Sequence, residues 1–321
     1  VSSAVGTIAL CIVTHYAPPV VPSLRGAREL FAFGGGITLL GLLGAVTSQV
    51  DYFVIGRVLN AAALGTYSRA YQLVEYPMRL TMGCYGTVLF AAFARIQEDL
   101  PRFRVAYAKA LSSLSITTLP VLALMCVTAP ELIPVVLGDQ WGESVIPFQV
   151  LCAAGMQWVI GSPAATVIKA LGGISALVII QALNLVFVGA GAIIGAKWGV
   201  LGTAVGVSSA YLLMLAPVTV FMARRLFGFG FGCHVMALRS ALILASSCAL
   251  AALIARLGGG ALGCSKPAVL VTSVMLGGGI ALLLGLRLPF DEMLSFRSEL
   301  AQMGLACRVR TRGSNCWLSR R

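Results

Sequence analysis

The sequence predicts an all-α polytopic membrane protein with about nine transmembrane helices. Three observations carry that reading. Apolar runs of about 20 residues recur from end to end, each long enough to cross a hydrocarbon core of roughly 30 Å as a helix. Charged residues make up only 11% of the 321 residues. Mean hydropathy reaches +0.93, beyond what two soluble domains of this total length would show. A β-barrel would need short segments of alternating polarity, and the chain has none. The formal net charge of +12 would suggest nucleic acid in a soluble chain. Here Lys and Arg fall mostly in the links between apolar runs, so no nucleic-acid partner is expected.

Taken in order, residues 1–17 form the first run. It begins without Met or a basic leader, which argues against a signal peptide, and reads as the remnant of a preceding transmembrane helix. Pro18, Pro19 and Pro22 end it, and residues 18–30 form a link carrying Arg25 and Arg28. The second span, about 31–59, exceeds what a bilayer needs. It should tilt, kink at Gly34-Gly35-Gly36, or project beyond the lipid. The third covers about 67–93 and leads into a charged link with Arg95, Glu98, Asp99, Arg102, Arg104 and Lys109. The fourth, about 110–137, holds Pro120, Pro130 and Pro134 and is predicted to bend or break near its far end.

Residues 138–143 then read as a tight polar turn, and the fifth span runs about 145–168 to Lys169. Spans six (174–196) and seven (200–222) are joined by Lys197-Trp198-Gly199 alone. Gly191-x-x-x-Gly195 and Gly202-x-x-x-Gly206 put small residues on one face of each, a pattern for close helix contact. Arg224-Arg225 opens a Gly-rich link as far as Arg239. Spans eight (240–257) and nine (267–286) follow, then a polar tail. From Ala301 onward the tail has five Arg and no acid, which suits anionic lipid headgroups.

The alternation of links tests the span count. Of the 23 Lys and Arg residues, 17 fall in the links after odd-numbered spans and in the tail, 5 fall in the opposite links, and 1 lies within a span. Such a bias makes the first set cytoplasmic, the tail included.

Candidate chemistry gathers in residues 49–79. Gln49, Asp51, Arg57, Asn60, Arg69, Gln72, Glu75 and Arg79 interrupt two otherwise apolar runs. A charge near the bilayer centre costs about 2.5–3.5 kcal/mol on insertion scales, so such groups face protein or water. They either line a wet chamber or cap helices and pair with one another. Glu75 and Arg79, four apart, share a helix face and can neutralise each other, whereas Asp51 and Arg57 point to different faces. Asp51 or Glu75 could instead carry a coupling proton or cation. Gln181 and Asn184, with Gln149, Gln157 and Gln72, either line a polar path or bridge helices. His15 and His234 read as incidental, and the nine cysteines show no CxxC spacing, so neither a metal site nor another cofactor is expected. Residues 228–232, Gly-Phe-Gly-Phe-Gly, follow no strand and read as a hinge or loop rather than a nucleotide site.

Asp51, the run Ile55-Gly56-Arg57, Leu64-Gly65-x-Tyr67-x-x-Ala70, and Leu137-Gly138-Asp139-Gln140-Trp141 followed by Pro147 form a recognisable set. The chain carrying them resembles the polysaccharide transporter (Wzx-type flippase) family of the multidrug/oligosaccharidyl-lipid/polysaccharide exporter superfamily. The likeness runs from about Leu30 to Trp158; beyond it only span count and spacing agree. One departure is Asn60, where the family commonly has Gly; it should stiffen that turn.

The resemblance implies two six-helix lobes around a central cavity, of which this chain would be a fragment. Residues 31–222 would be the second lobe, 223–287 an extra transmembrane pair with its link, and 288–321 a cytoplasmic Arg-rich tail. It further implies alternating-access movement of undecaprenyl-diphosphate-linked oligosaccharide across the bacterial inner membrane. Membrane lipids, polysaccharide polymerase and export machinery would be partners, and no enzymatic reaction is expected. Arginine suits phosphate through its forked donors. Arg79 is therefore the first candidate phosphate contact, then Arg57 and Arg69, with Gln72, Gln181 and Asn184 toward sugars and Asp51 and Glu75 as ion-coupling groups. A cation-coupled drug exporter would be favoured if Asp51 and Glu75 dominated the cavity. A membrane-embedded polysaccharide polymerase or ligase would need an external loop that gathers His, Arg and acid, and every external link is short. A structural role for a lone lobe is the remaining reading.

Overall fold

The computed structural model describes residues 27–96 and 99–287. The first predicted span and the Arg-rich tail lie outside the described residues. Among the described residues eight α-helices follow one another: α1 (Ala27–Val58), α2 (Ala61–Arg95), α3 (Leu100–Val136), α4 (Val145–Ala170), α5 (Ile174–Ala196), α6 (Gly199–Phe227), α7 (Phe231–Ala261) and α8 (Lys266–Arg287). A single 3-10 turn, Asp139–Ser144, stands between α3 and α4. The protein is an all-α polytopic membrane protein. Six of these helices are long and apolar enough to cross a bilayer, and α6 contributes a shorter apolar stretch, Gly199–Met214. Helix α2 falls short because Arg69, Glu75 and Arg79 interrupt it. Large apolar side chains point outward around the bundle, among them Leu42, Leu80, Val186, Leu213 and Met275, as expected of a surface that meets lipid rather than water.

Every predicted span within the described residues is a helix, and the differences lie at the ends. Helix α3 starts at Leu100, ten residues before the predicted span, because Asp99 caps it by accepting from the Arg102 amide (3.1 Å) and Pro101 fits its first turn. Arg102, Arg104 and Lys109 therefore ride on helix rather than on a loose link. Of the expected bend or break near Pro130 and Pro134, the break does not occur: α3 is one helix through all three prolines. Likewise α1 passes through Gly34-Gly35-Gly36 as continuous helix. The Gly-rich link shrinks to residues 228–230, since α7 starts at Phe231. Asn60 has its own reason to be there. It is the N-cap of α2, its side-chain oxygen accepting from the Ala63 amide at 2.7 Å.

Packing follows from which faces are small. Along α5 and α6, a methyl added to Gly191, Gly195, Gly202 or Gly206 would overlap the backbone carbonyl of the opposite helix, so the two backbones approach as closely as the sequence pattern predicts. Helix α1 lies on α5, and α2 lies on α4. Helix α4 sits centrally, touching α2, α3 and α6, while α7 packs along α3 and carries α8. One cluster of buried residues, with Phe93, Phe103, Tyr107 and Phe229, joins the C-terminal end of α2 to α3 and α7. A second, with Ile55, Tyr67, Ile133, Phe148 and Leu151, joins the N-terminal end of α2 to α1, α3 and α4. Helices α1 and α2 meet each other only briefly. That gap is where the polar residues collect.

Candidate functional site

Two spaces open beside α2. A cavity of about 540 Å³ is enclosed by α1, α2, α4, α5 and α6 and reaches from Tyr71 and Glu75 toward Met82 and Gly86 along α2. A cleft of about 660 Å³ lies between α1 and α2 on the other side of that level, lined by Gln49, Tyr52, Leu64, Ser68, Gln72 and Tyr76 together with Glu75 and Arg79. Glu75 and Arg79 line both spaces. Near the middle of the 35-residue helix α2, Arg79 is roughly 25 Å from either end at a rise of about 1.5 Å per residue.

The geometry brings together four of the eight candidate residues on the cavity wall: Glu75, Arg79, Gln181 and Asn184. Arg79 Nε donates to Glu75 Oε1 at 2.9 Å, one helical turn away, with the Arg79 side chain 73% exposed and that of Glu75 32%. The two groups pair with each other and also border open space. Gln181 Nε2 donates to Thr47 Oγ1 at 3.0 Å, tying α5 to α1 at the wall. Asn184 is 6% exposed, and its side-chain oxygen accepts no hydrogen bond from the protein. A buried acceptor without a donor costs roughly 1–3 kcal/mol. Gln72 lines the cleft rather than the cavity.

The other three candidates stand apart. Asp51 is buried between α1 and α2, where Tyr67 Oη donates to Oδ2 at 2.8 Å and the Tyr52 amide to Oδ1 at 2.9 Å. Tyr52, Tyr67 and Tyr71 pack around it with ring centroids 5.7–6.1 Å apart. It lines neither space. Arg57 is exposed at the end of α1 and also lines neither. Arg69 lies over the Trp141 ring at 5.6 Å, a cation–π contact. Trp141 also covers Gly65, and Ser144 Oγ donates to the Thr66 carbonyl at 3.0 Å. The two stretches around Gly65 and Gly138 are thus one structural unit, a joint between α2 and the 3-10 turn.

Sequence reasoning passed over several wall residues. Lys169, in the last turn of α4, lines the cavity, and so do Tyr71, Tyr211, Trp158, Ser162 and Thr166. In the sequence Lys169 reads only as the end of a span; the one available signal is that it follows Ser162 and Thr166 at helical spacing. Gln149 and Gln157 do bridge helices, donating to the carbonyls of Cys126 (3.0 Å) and Tyr211 (2.9 Å). The cavity thus offers two cations, one carboxylate, amides and hydroxyls between apolar walls.

Residues 1–146 match a family described as "polysaccharide biosynthesis protein". The chain is similar to the lipopolysaccharide biosynthesis protein WzxC of Escherichia coli strain K12, 29% identical over 155 residues, or 48% of this chain and 32% of that protein. It is also similar to the teichuronic acid biosynthesis protein TuaB of Bacillus subtilis strain 168, 28% identical over 48% of this chain and 32% of TuaB. An uncharacterised membrane protein in the cps region of Klebsiella pneumoniae is 28% identical over 46% of this chain and 30% of its own length. The matched stretch spans about a third of the length of these relatives. No solved structure matches the chain.

Proposed function

We propose, from the match of residues 1–146 to the polysaccharide biosynthesis protein family, that the chain is part of a carrier for lipid-linked oligosaccharide. Such a molecule carries a diphosphate that hydrocarbon excludes, a sugar portion that needs hydrogen bonds, and a lipid tail that needs none. The observation that best supports the reading is that Arg79, Glu75, Gln181 and Asn184, drawn from α2 and α5, share one cavity wall. In this reading Arg79 receives the phosphate, since a guanidinium matches two phosphate oxygens at once. Gln181, Asn184 and, in the adjoining cleft, Gln72 meet sugar hydroxyls, and Arg57 and Arg69 raise the positive potential toward the far end of α2. Glu75 is the carboxylate placed to couple transport to a proton or cation, with Asp51 held in reserve behind Tyr67.

The positive-inside bias orients the cavity side of α2 toward the cytoplasm and the cleft side outward, with the tail cytoplasmic and the inner membrane as location. Residues 31–222 act as one lobe and 223–287 as an added pair docked on α3. Membrane lipids and the polysaccharide polymerase and export machinery are the partners this role implies, and no covalent chemistry is assigned to the chain. The drug-exporter reading called for Asp51 and Glu75 together in the cavity, and Asp51 is turned instead to Tyr67. The test is export of surface polysaccharide in a host lacking its own carrier. Arg79→Ala should abolish export at unchanged membrane abundance, whereas wild-type export from Arg79→Ala would refute the assignment.

A further inference from the structure

The cavity and the cleft have Glu75 and Arg79 in common and, among the described residues, no other lining residue. The cleft lining continues toward the N-terminal end of α2 at Leu64 and Ser68, the cavity lining toward its C-terminal end at Met82 and Gly86. An anion passing between the two spaces therefore meets this ion pair. Glu75 is also the only carboxylate among the residues lining either space, while Lys169 adds a second cation from α4. A cavity built to attract an anion would lose attraction by keeping an acid on the wall that both spaces share, unless that acid had a task there.

We propose that Glu75 is a displaceable counter-ion, its carboxylate holding on Arg79 the place that a phosphate of a prenyl diphosphate takes. The inference rests on Arg79 as the phosphate contact and adds what keeps that contact closed when no substrate is bound. The chemistry is consistent: carboxylate and phosphate compete for the same donors of a guanidinium. The pair is weak enough to exchange, because an i,i+4 ion pair with one partner 73% exposed is only marginally stabilising. A dianion brings more charge to the same donors, so it displaces the carboxylate without any change in fold. Once displaced, Glu75 faces the cavity, whose polar lining includes Lys169, Ser162 and Thr166 from α4, Tyr71 from α2 and Tyr211 from α6.

The test is a titration of the whole purified chain in detergent with farnesyl diphosphate, with farnesol as the uncharged control. Removing the competitor in Glu75→Gln should tighten farnesyl diphosphate about three- to tenfold. Arg79→Ala should weaken it about tenfold or more, Glu75→Gln/Arg79→Ala should match Arg79→Ala, and farnesol should be indifferent throughout. Unchanged or weaker binding by Glu75→Gln, with Arg79→Ala weakened, would overturn the counter-ion and leave the phosphate contact standing. Tightening that persists in the double variant would also overturn it, since the gain would not run through Arg79. Unchanged binding by Arg79→Ala would overturn both. If Glu75→Gln is not monodisperse, Glu75→Asp, one methylene too short for the same bond, carries the same expectation.

Discussion

Tyr67 donates its phenolic hydrogen to the Asp51 carboxylate over 2.8 Å, joining α1 and α2 where Tyr52 of α1 also packs edge-on against Tyr67 and Tyr71. Tyr67 is fully buried and Asp51 is 3% exposed, so neither group has water to fall back on. Tyr67→Phe should cost about 1–3 kcal/mol, the penalty for a buried acceptor deprived of a donor. Asp51→Asn keeps an oxygen to accept from Tyr67 and should cost less. Thermal unfolding in detergent reads both; an Asp51→Asn variant that folds normally yet exports nothing would mark Asp51 as a coupling group rather than a tie.

Asn60 should prove to be a cap and little more. Asn60→Ala removes the acceptor for the Ala63 amide and should lower stability by about 1 kcal/mol, whereas Asn60→Gly should cost only a few tenths. A melting-temperature series separates the two. Equal losses for Ala and Gly would show that the side chain works through some contact other than the cap.

The α5–α6 contact gives a sharper contrast. Gly195→Ala places a methyl against the Gly202 carbonyl, so the helices must separate, and overpacking of this kind costs about 1–3 kcal/mol. Gly41→Ala, in α1, meets nothing within 4 Å and should be neutral or gain up to about 1 kcal/mol in helix propensity. Comparable behaviour of the two variants would argue that α5 and α6 do not hold together through their small residues.

These contrasts mirror what could be read from the chain in advance. Helix α5 coincides with its predicted span because Gly172-Gly173 and Lys197 bound a run with no charged residue. The start of α3 was missed because charge marked Arg102, Arg104 and Lys109 as a link, while the capping chemistry of Asp99 and Pro101, which decides where a helix begins, was not weighed. At the site, polar residues inside apolar runs announced themselves, and four of them converge. Which ones converge was beyond one-dimensional reasoning. Arg69 is drawn to Trp141, 72 positions away, and Asp51 to Tyr67, by contacts that exist only once α2 has docked. Lys169 looked like a membrane boundary and is also a cavity wall.

Docking of α7 on α3 rests in part on charge. Arg256 Nε donates to Glu131 Oε1 at 2.8 Å, with the two side chains only 31% and 15% exposed. Arg256→Ala should destabilise more than Arg256→Ala/Glu131→Ala does, because the single variant strands a half-buried carboxylate. Unfolding midpoints of the two single variants and the double variant measure the coupling. An additive cycle would mean the pair is incidental to how α7 is held.

Asn184 and Gln181 lie one helical turn apart on the cavity wall, yet opposite results are expected from them. Gln181 is engaged with Thr47, so Gln181→Ala should cost about 1 kcal/mol of stability through the lost bridge. Asn184 keeps a buried oxygen with no partner, so Asn184→Leu removes a standing penalty and should leave stability equal or higher. If that oxygen waits for a sugar hydroxyl, the same substitution should reduce polysaccharide export severalfold while the protein melts no earlier. Gain of stability with loss of transport is the signature of a residue kept for its ligand. An Asn184→Leu variant that exports at the wild-type rate would reduce Asn184 to a packing residue and move the sugar contacts elsewhere on the wall.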